Sequence, residues 1–277
     1  MVSLAQILVA PRAAITPTGC ARSRLEPDRA AGSPGREPAT KPRSDHLRVV
    51  TWNLYHGRSV PAAGRELLTE FSSRLASWEW DAALLQEAPP WWPAQLARAA
   101  GAEHRLALTS RNAGSAVRRA LARRWPDAMK SNGGGCNAIL ARESVAEYRS
   151  LRLRTWPERR VAQLARLREG VCLVNFHASA DPQLAARELE RLSLQALAWA
   201  GDAPLILGGD LNLRSPGTIA GKLVHVGQRD VDHLFVRGLA PTAQAQLLDR
   251  DVTIAGRKVE LSDHVPLAVG LRVQDAA

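Results

Sequence analysis

Hydrophobic residues along this chain fall into short, nearly continuous runs, and most of the runs end on a polar residue. Leu47-Arg48-Val49-Val50-Thr51-Trp52 leads into the polar stretch Asn53-Leu54-Tyr55-His56-Gly57. A second run, from Asp81 to Leu85, closes on Gln86-Glu87, and a third, Pro204-Leu205-Ile206-Leu207, closes on Gly208-Gly209-Asp210-Leu211-Asn212. Runs this short do not make stable helices; they have the form of buried strands that deliver side chains to a sheet edge. Asp210 and Asn212 stand two residues apart, so an extended loop turns both toward one pocket. Alone, that stretch equally fits a turn following a core strand.

The same pattern predicts further strands near 105–109, 136–140, 145–153, 160–168, 171–176, 231–236, 242–248 and 265–273. Helical spacing appears at Leu67, Leu68, Phe71 and Leu75, in a stretch expected to open at Pro61. A short helix is expected after Trp91-Trp92, and a longer one from an Asp181-Pro182 cap to about Trp199. Strands outnumber helices and come both singly and in hairpin-like runs. That predicts one α/β domain with mixed sheets over residues 46–277. Residues 1–45, rich in Pro, Gly, Arg and Ser without apolar periodicity, are expected to be a disordered leader.

Composition narrows the partners. The 277 residues are 45% hydrophobic and carry a formal charge of +10. Residues 1–45 hold seven basic and four acidic groups, so +7 belongs to the body. A polyanionic partner follows from that balance. Between 105 and 130, Arg105, Arg111, Arg118, Arg119, Arg123, Arg124 and Lys130 face one acid, Asp127. The segment reads either as a solvated helix face or as a phosphate-contacting surface. Three widely spaced cysteines, Cys20, Cys136 and Cys172, fit neither a disulfide framework nor a zinc site. A reducing, cytoplasmic setting is expected, and no apolar run is long enough to span a bilayer. The chain is expected to act as a monomer without membrane insertion.

Chemistry gathers at the ends of the apolar runs. Asn53, Glu87, His177, Asp210, Asn212, Asp232, Asp263 and His264 all flank them. If those ends converge, crowded carboxylates repel one another unless a cation neutralises them. A hard divalent ion, Mg²⁺ or Mn²⁺, serves that purpose and suits phosphoryl chemistry.

The order and context of these motifs resemble the endonuclease/exonuclease/phosphatase family, the superfamily of deoxyribonuclease I. The resemblance rests on Val50-Thr51-Trp52-Asn53-Leu54, Leu84-Leu85-Gln86-Glu87, Gly135-Cys136-Asn137-Ala138-Ile139-Leu140 and Val174-Asn175-Phe176-His177. Gly208-Gly209-Asp210-Leu211-Asn212, Val231-Asp232-His233-Leu234-Phe235 and Ser262-Asp263-His264 complete it. None of these motifs is specific alone, but all in family order are. The resemblance implies a four-layer α/β sandwich of two mixed β-sheets with helices outside. It implies Glu87 as principal metal ligand, with Asn53 and Asp263 beside it. Asp210 would activate the attacking water, Asn212 and His264 would hold phosphate oxygens, and Asp232 would orient His264. His177 would serve as a second imidazole at the phosphate. Asn137 would support the site, Arg160 (or Arg159) would contact phosphate, and Gly208 and Gly209 would clear room for the substrate. Arg118 and Arg119 are the candidates for backbone contacts from the basic segment.

Family members differ in substrate, because a fold does not determine one. His177 stands where the family's abasic-site endonucleases typically carry tyrosine, which counts against that activity. The basic body favours nucleic acid, DNA first, as the substrate of a metal-dependent phosphodiesterase. A phosphatase or phospholipase acting on phosphoinositides or small phosphate esters is the alternative, and a catalytically silent nucleic-acid-binding module is a third. Trp91 and Trp92 read as a base-stacking or membrane-touching pair at the site rim, or as packing beneath the following helix.

Overall fold

The apolar runs are continuous because their strands are buried on both faces. A computed structural model describes residues 46–110, 112–128, 134–217 and 223–274, all within a unit spanning Arg43–Ala277. The leader expected over residues 1–45, with Cys20, lies outside the described residues, as do Arg111, Lys130 and Gly133.

The first half of the chain forms β1 (His46–Asn53), β2 (Ser59–Val60), α1 (Leu68–Ser77), β3 (Ala82–Ala88), α2 (Pro93–Ala100), β4 (Glu103–Leu108), α3 (Ser115–Arg124) and β5 (Cys136–Ala141). There follow β6 (Val145–Arg154), β7 (Arg160–Leu167), β8 (Cys172–His177), α4 (Pro182–Ala200) and β9 (Leu205–Asp210). The remainder holds β10 (Val224–Arg229), β11 (Asp232–Arg237), β12 (Leu239–Pro241), β13 (Gln246–Leu247), β14 (Asp251–Ile254), β15 (Arg257–Leu261) and β16 (Leu267–Val273).

One large sheet runs β12-β16-β1-β3-β5-β4, with β13 also on β16; the second runs β10-β11-β9-β8-β7-β6, and a small third sheet runs β14-β15-β2. Each large sheet contains one parallel pair, β1 with β3 and β8 with β9, among antiparallel neighbours. Alternation along the strands sorts side chains into three cores. Val49, Leu84, Ile139, Leu173, Ile206 and Val269 meet between the sheets. Val50, Trp52, Leu85 and Leu140 turn outward onto Phe71 and Leu75 of α1 and Leu96 of α2. Val174, Phe176, Leu205 and Leu207 turn outward onto Leu189 and Leu192 of α4. The result is the expected four-layer α/β sandwich, helix–sheet–sheet–helix, with both central strands of each large sheet desolvated on two sides.

Local chemistry explains where the elements depart from the sequence expectation. α1 starts at Leu68 rather than Pro61, because Ser59 and Val60 are held extended by pairing with Leu261 and Glu260, and Gly64 is left-handed at φ +72. The strand expected over 242–248 is reduced to β13, and β12 precedes it; the Thr242 N–H still donates to the Gly270 carbonyl at 2.9 Å. The β14–β15 hairpin was not anticipated. Its two-residue turn places Ala255 (φ 49) and Gly256 (φ 76) both left-handed, as the tightest hairpins require. α4 matches its expected cap: Asp181 Oδ1 accepts the Leu184 N–H at 2.9 Å. Cys136 and Cys172 are buried and free. No helix among the described residues is long and apolar enough to cross a membrane.

Candidate active site

Strand register brings the polar ends together. His177 on β8 and Asp232 on β11 both pair with Asp210 on β9, so three of the candidate side chains stand in a row at one end of the second sheet. In the first sheet Asn53 pairs with Gln86, and a bulge between Leu85 and Ala88 leaves Glu87 with φ 50. Such a bulge re-aims one side chain out of the ladder. His264 comes from the loop before β16. Ser262 Oγ donates to the Asn53 carbonyl at 2.6 Å and accepts the His264 N–H at 3.1 Å, while the Trp52 indole donates to the His264 carbonyl at 3.1 Å. Sequence positions more than two hundred residues apart are thereby locked side by side.

Asn53, Glu87, His177, Asp210, Asn212, Asp263 and His264 all line one cleft of about 360 Å³. Asp210 is 2% exposed and sits at its centre. Its Oδ2 accepts from Asn53 Nδ2 at 2.8 Å and its Oδ1 accepts from the Asn212 N–H at 3.0 Å. His177 Nε2 lies 3.5 Å from Asp210 Oδ2 and 3.9 Å from Glu87 Oε1. Asn212, left-handed at φ 51, donates its amide to the Ala178 carbonyl at 3.0 Å. Asp232 stands behind His264, with 2.7 Å between its Oδ2 and the imidazole Nδ1. That contact leaves Nε2 turned inward, 3.8 Å from Asp210 and 3.9 Å from Asp263.

Burial and charge set the protonation states. Desolvation, reinforced by the charge of Asp210, raises the Glu87 carboxyl to about 7. Burial by itself works to lower the His264 pKa, but the hydrogen bond and charge of Asp232, with Asp210 and Asp263 adding to it, carry it up to about 9. Burial likewise raises Asp232, against the pull of His264. Near neutral pH the pair therefore holds its shared proton on the imidazole.

The donor set fits a hard cation at Glu87 and Asp263. A carboxylate pushed toward neutrality by burial, and further by the charge of Asp210, is what a divalent ion would relieve. Asp210, Asp232 and His264 also bring one ligand atom each within 4.8 Å of one another. In that trio both Asp210 oxygens accept hydrogen bonds and Asp232 Oδ2 is taken up by His264 Nδ1, and an imidazole protonated on both nitrogens is not a ligand. Asn53 spends both ends of its amide, accepting the Tyr55 N–H at 2.9 Å and donating to Asp210, so it ties Asp210 to the turn that follows β1.

Other anticipated residues fall elsewhere. Arg160 lines the cleft beside Arg58 and Arg159. It is 7% exposed, bonds Glu158 at 2.7 Å, and its Nε has no hydrogen-bond partner among the described residues. Of the two competing arginines, it is the one sunk into the wall. Asn137 is fully buried and outside the cleft; its amide donates to the Val161 carbonyl at 2.8 Å and ties the two sheets together. Arg118 and Arg119 sit on α3, also outside the cleft lining. The Arg119 guanidinium lies over the Trp91 ring at 5.6 Å, and Arg123 pairs with Glu66 at 3.4 Å. Trp92 is fully buried in the α1–α2 core, and the indole of Trp91 donates to Glu66 at 3.2 Å, so neither lines the cleft. Gly208 and Gly209 clear room for protein rather than ligand. A Cβ on Gly208 would lie 2.4 Å from Leu234 Cδ2, and one on Gly209 only 1.9 Å from the Phe176 carbonyl oxygen. The sequence reading missed His56, whose Nε2 is 3.0 Å from Glu87 Oε2. Its one available signal was an imidazole next to a glycine just after the Asn53 motif.

Solved structures share this architecture. An endonuclease/exonuclease/phosphatase family protein from Bacteroides thetaiotaomicron is 16% identical with TM-score 0.64, covering 83% of this chain and 98% of its own. A humanized D. rerio TDP2 is 19% identical with TM-score 0.61, over 83% of this chain and 100% of that one. A mannosyl-6-phosphatase from Bacteroides thetaiotaomicron VPI-5482 is 14% identical with TM-score 0.62, over 81% and 99%. At such identities the likeness speaks for the fold. A search of curated proteins finds no match. The family model for the Endonuclease/Exonuclease/phosphatase family matches residues 50–264, which takes in every motif from β1 to His264, and the chain accordingly belongs to that family.

Proposed function

We propose that this protein is a divalent-cation-dependent phosphodiesterase that cleaves nucleic acid, with DNA as the first substrate to test. The observation that carries the reading is the meeting of Asn53, Glu87, His177, Asp210, Asn212, Asp263 and His264 in one cleft. Glu87 and Asp263 would hold Mg²⁺ or Mn²⁺, which when bound polarises the phosphate and stabilises charge on the departing oxygen. Asp210, fixed through both carboxylate oxygens by Asn53 and Asn212, would accept a proton from the attacking water as its oxygen bonds to phosphorus and the P–O bond opposite breaks. The His264 imidazolium, oriented by Asp232, would direct its Nε2–H at a non-bridging oxygen, where negative charge builds. His177 and the second N–H of the Asn212 amide would hold the remaining oxygens. The body charge of +7 and the arginines at 58, 159 and 160 along the cleft support a polyanionic substrate.

Nicking of supercoiled DNA with and without Mg²⁺ tests the reading. Loss of wild-type nicking by at least about 100-fold in both Glu87→Gln and Asp210→Asn is the expected result. Hydrolysis of a phosphoinositide and sugar-phosphate panel without nicking would transfer the assignment to a phosphatase. The deeply set Arg160, suited to a terminal phosphate, is the observation that favours that second reading, and one structural neighbour is named a mannosyl-6-phosphatase. DNA binding without hydrolysis of anything would leave a silent module.

A further inference from the structure

His56 is held in place at unusual conformational cost. Tyr55, His56 and Gly57 take φ of 48, 53 and 77 in succession, a left-handed run that is unfavourable for the two residues with a Cβ. The turn is pinned by the Gly57 N–H donating to the Leu54 carbonyl at 2.7 Å and the Arg58 N–H to the Tyr55 carbonyl at 3.1 Å. Beneath it lies the fully buried Trp92, so close that a Cβ on Gly57 would come within 2.3 Å of the indole. On the other side, the His56 ring packs against Gly135, whose added Cβ would stand 3.4 Å from Cε1. The turn is thus backed by Trp92 and the ring flanked by Gly135, with Nε2 3.0 Å from Glu87 Oε2. Glu87 is itself left-handed, at φ 50. Backbone strain of this kind persists only where surrounding packing over-determines it, and it concentrates at functional positions.

We infer that His56 is a positioning residue for Glu87, holding Oε2 so that Oε1 stays turned into the cleft toward His177. The inference rests on the reading of Glu87 as the cation-holding carboxylate. An unrestrained glutamate spreads over many rotamers, and ordering it on binding costs side-chain entropy. A partner on one oxygen meets that cost before the cation arrives. Groups of this kind, which touch the ligand residue and not the ion, typically govern metal affinity by about 10–100-fold. Packing alone would explain a loss of stability on removing His56, but not a selective loss of affinity.

The test is Mn²⁺ binding to the full chain, followed by the electron paramagnetic resonance signal of free Mn²⁺ and by calorimetry. His56→Asn keeps a residue that tolerates the left-handed conformation but is too short to reach Glu87; His56→Gln restores an N–H donor at longer reach. Thermal unfolding of each metal-free variant reports whether it folds. The expected result is a 10–100-fold weaker Mn²⁺ affinity in His56→Asn with substantial recovery in His56→Gln. Wild-type affinity in His56→Asn, with binding lost in Glu87→Gln, would overturn the inference and leave the Glu87 reading intact. Binding indifferent to Glu87→Gln would remove both.

Discussion

Gly209→Ala is the sharpest test of how the sheet builds the site. The residue sits at φ +138, and a Cβ there would lie 1.9 Å from the Phe176 carbonyl oxygen, 2.9 Å from its carbonyl carbon and 3.1 Å from its nitrogen. All three atoms are backbone, so no rotamer change relieves the clash. Reaching an ordinary contact distance requires β8 and β9 to separate by somewhat over 1 Å, against a normal spacing of about 4.8 Å. Phe176 pairs with Gly209 one step before His177 meets Asp210, so the displacement falls on the row of side chains at the candidate site. Overpacking costs about 1–3 kcal/mol, and an alanine forced left-handed costs about 1–2 kcal/mol more. Two weakened ladder bonds add about 1 kcal/mol each. The expected destabilisation is about 4–7 kcal/mol, which at about 2–4 °C per kcal/mol lowers Tm by about 8–28 °C. Gly64→Ala is the matched control: it is also left-handed, at φ +72, with nothing within 4 Å of the added atom, and should cost only about 1–2 kcal/mol. Urea and thermal unfolding of the two variants give the comparison. A Gly209→Ala protein as stable as Gly64→Ala would refute the packing argument and return the glycine to a substrate-clearing role.

Asp232→Asn should lower the His264 pKa from about 9, because the hydrogen bond and charge of Asp232 are lost and only Asp210 and Asp263 still oppose burial, as followed by the imidazole NMR titration. A folded pKa raised above the unfolded value gives stability that is complete below 6.5 and is lost as pH rises through about 9. The variant should show a smaller alkaline decline that begins at lower pH, and an unchanged titration would refute the pairing. His225 and His233, in contact at 3.2 Å, both have pKa values lowered by burial. Their unfolded forms protonate first, so stability should fall as pH drops below about 6.5; His225→Gln should soften that acid limb in urea titrations, and an unchanged limb would count against it. Arg119→Ala should leave DNA affinity and its salt slope nearly untouched, since the guanidinium is spent on Trp91, whereas a slope reduced by about one would assign it a phosphate contact.

The sequence by itself determined the fold class and most of the cleft. Apolar runs too short for helices could only be strands buried on both faces, and the alternation of Val49 with Val50, or Leu84 with Leu85, between two cores follows directly from the two-residue period of a strand. The polar ends of those runs were legible because a desolvated strand has nowhere else to put a carboxylate. Only the tertiary structure decided what each residue faces. Arg119 and Arg123 look identical to Arg118 and Arg124 in a charge count, yet helix phase sends the former pair to Trp91 and Glu66. Asn137 shares a motif with the site, but its strand pairing turns the amide to Val161. Gly208 and Gly209 proved to be packing requirements set by Leu234 and Phe176, residues no local pattern links to them. His56 stayed hidden because its neighbour Glu87 lies thirty-one positions away along the chain. A sequence records which groups are present and which face of an element they share; distances between elements arise only when packing sets the register of one strand against another.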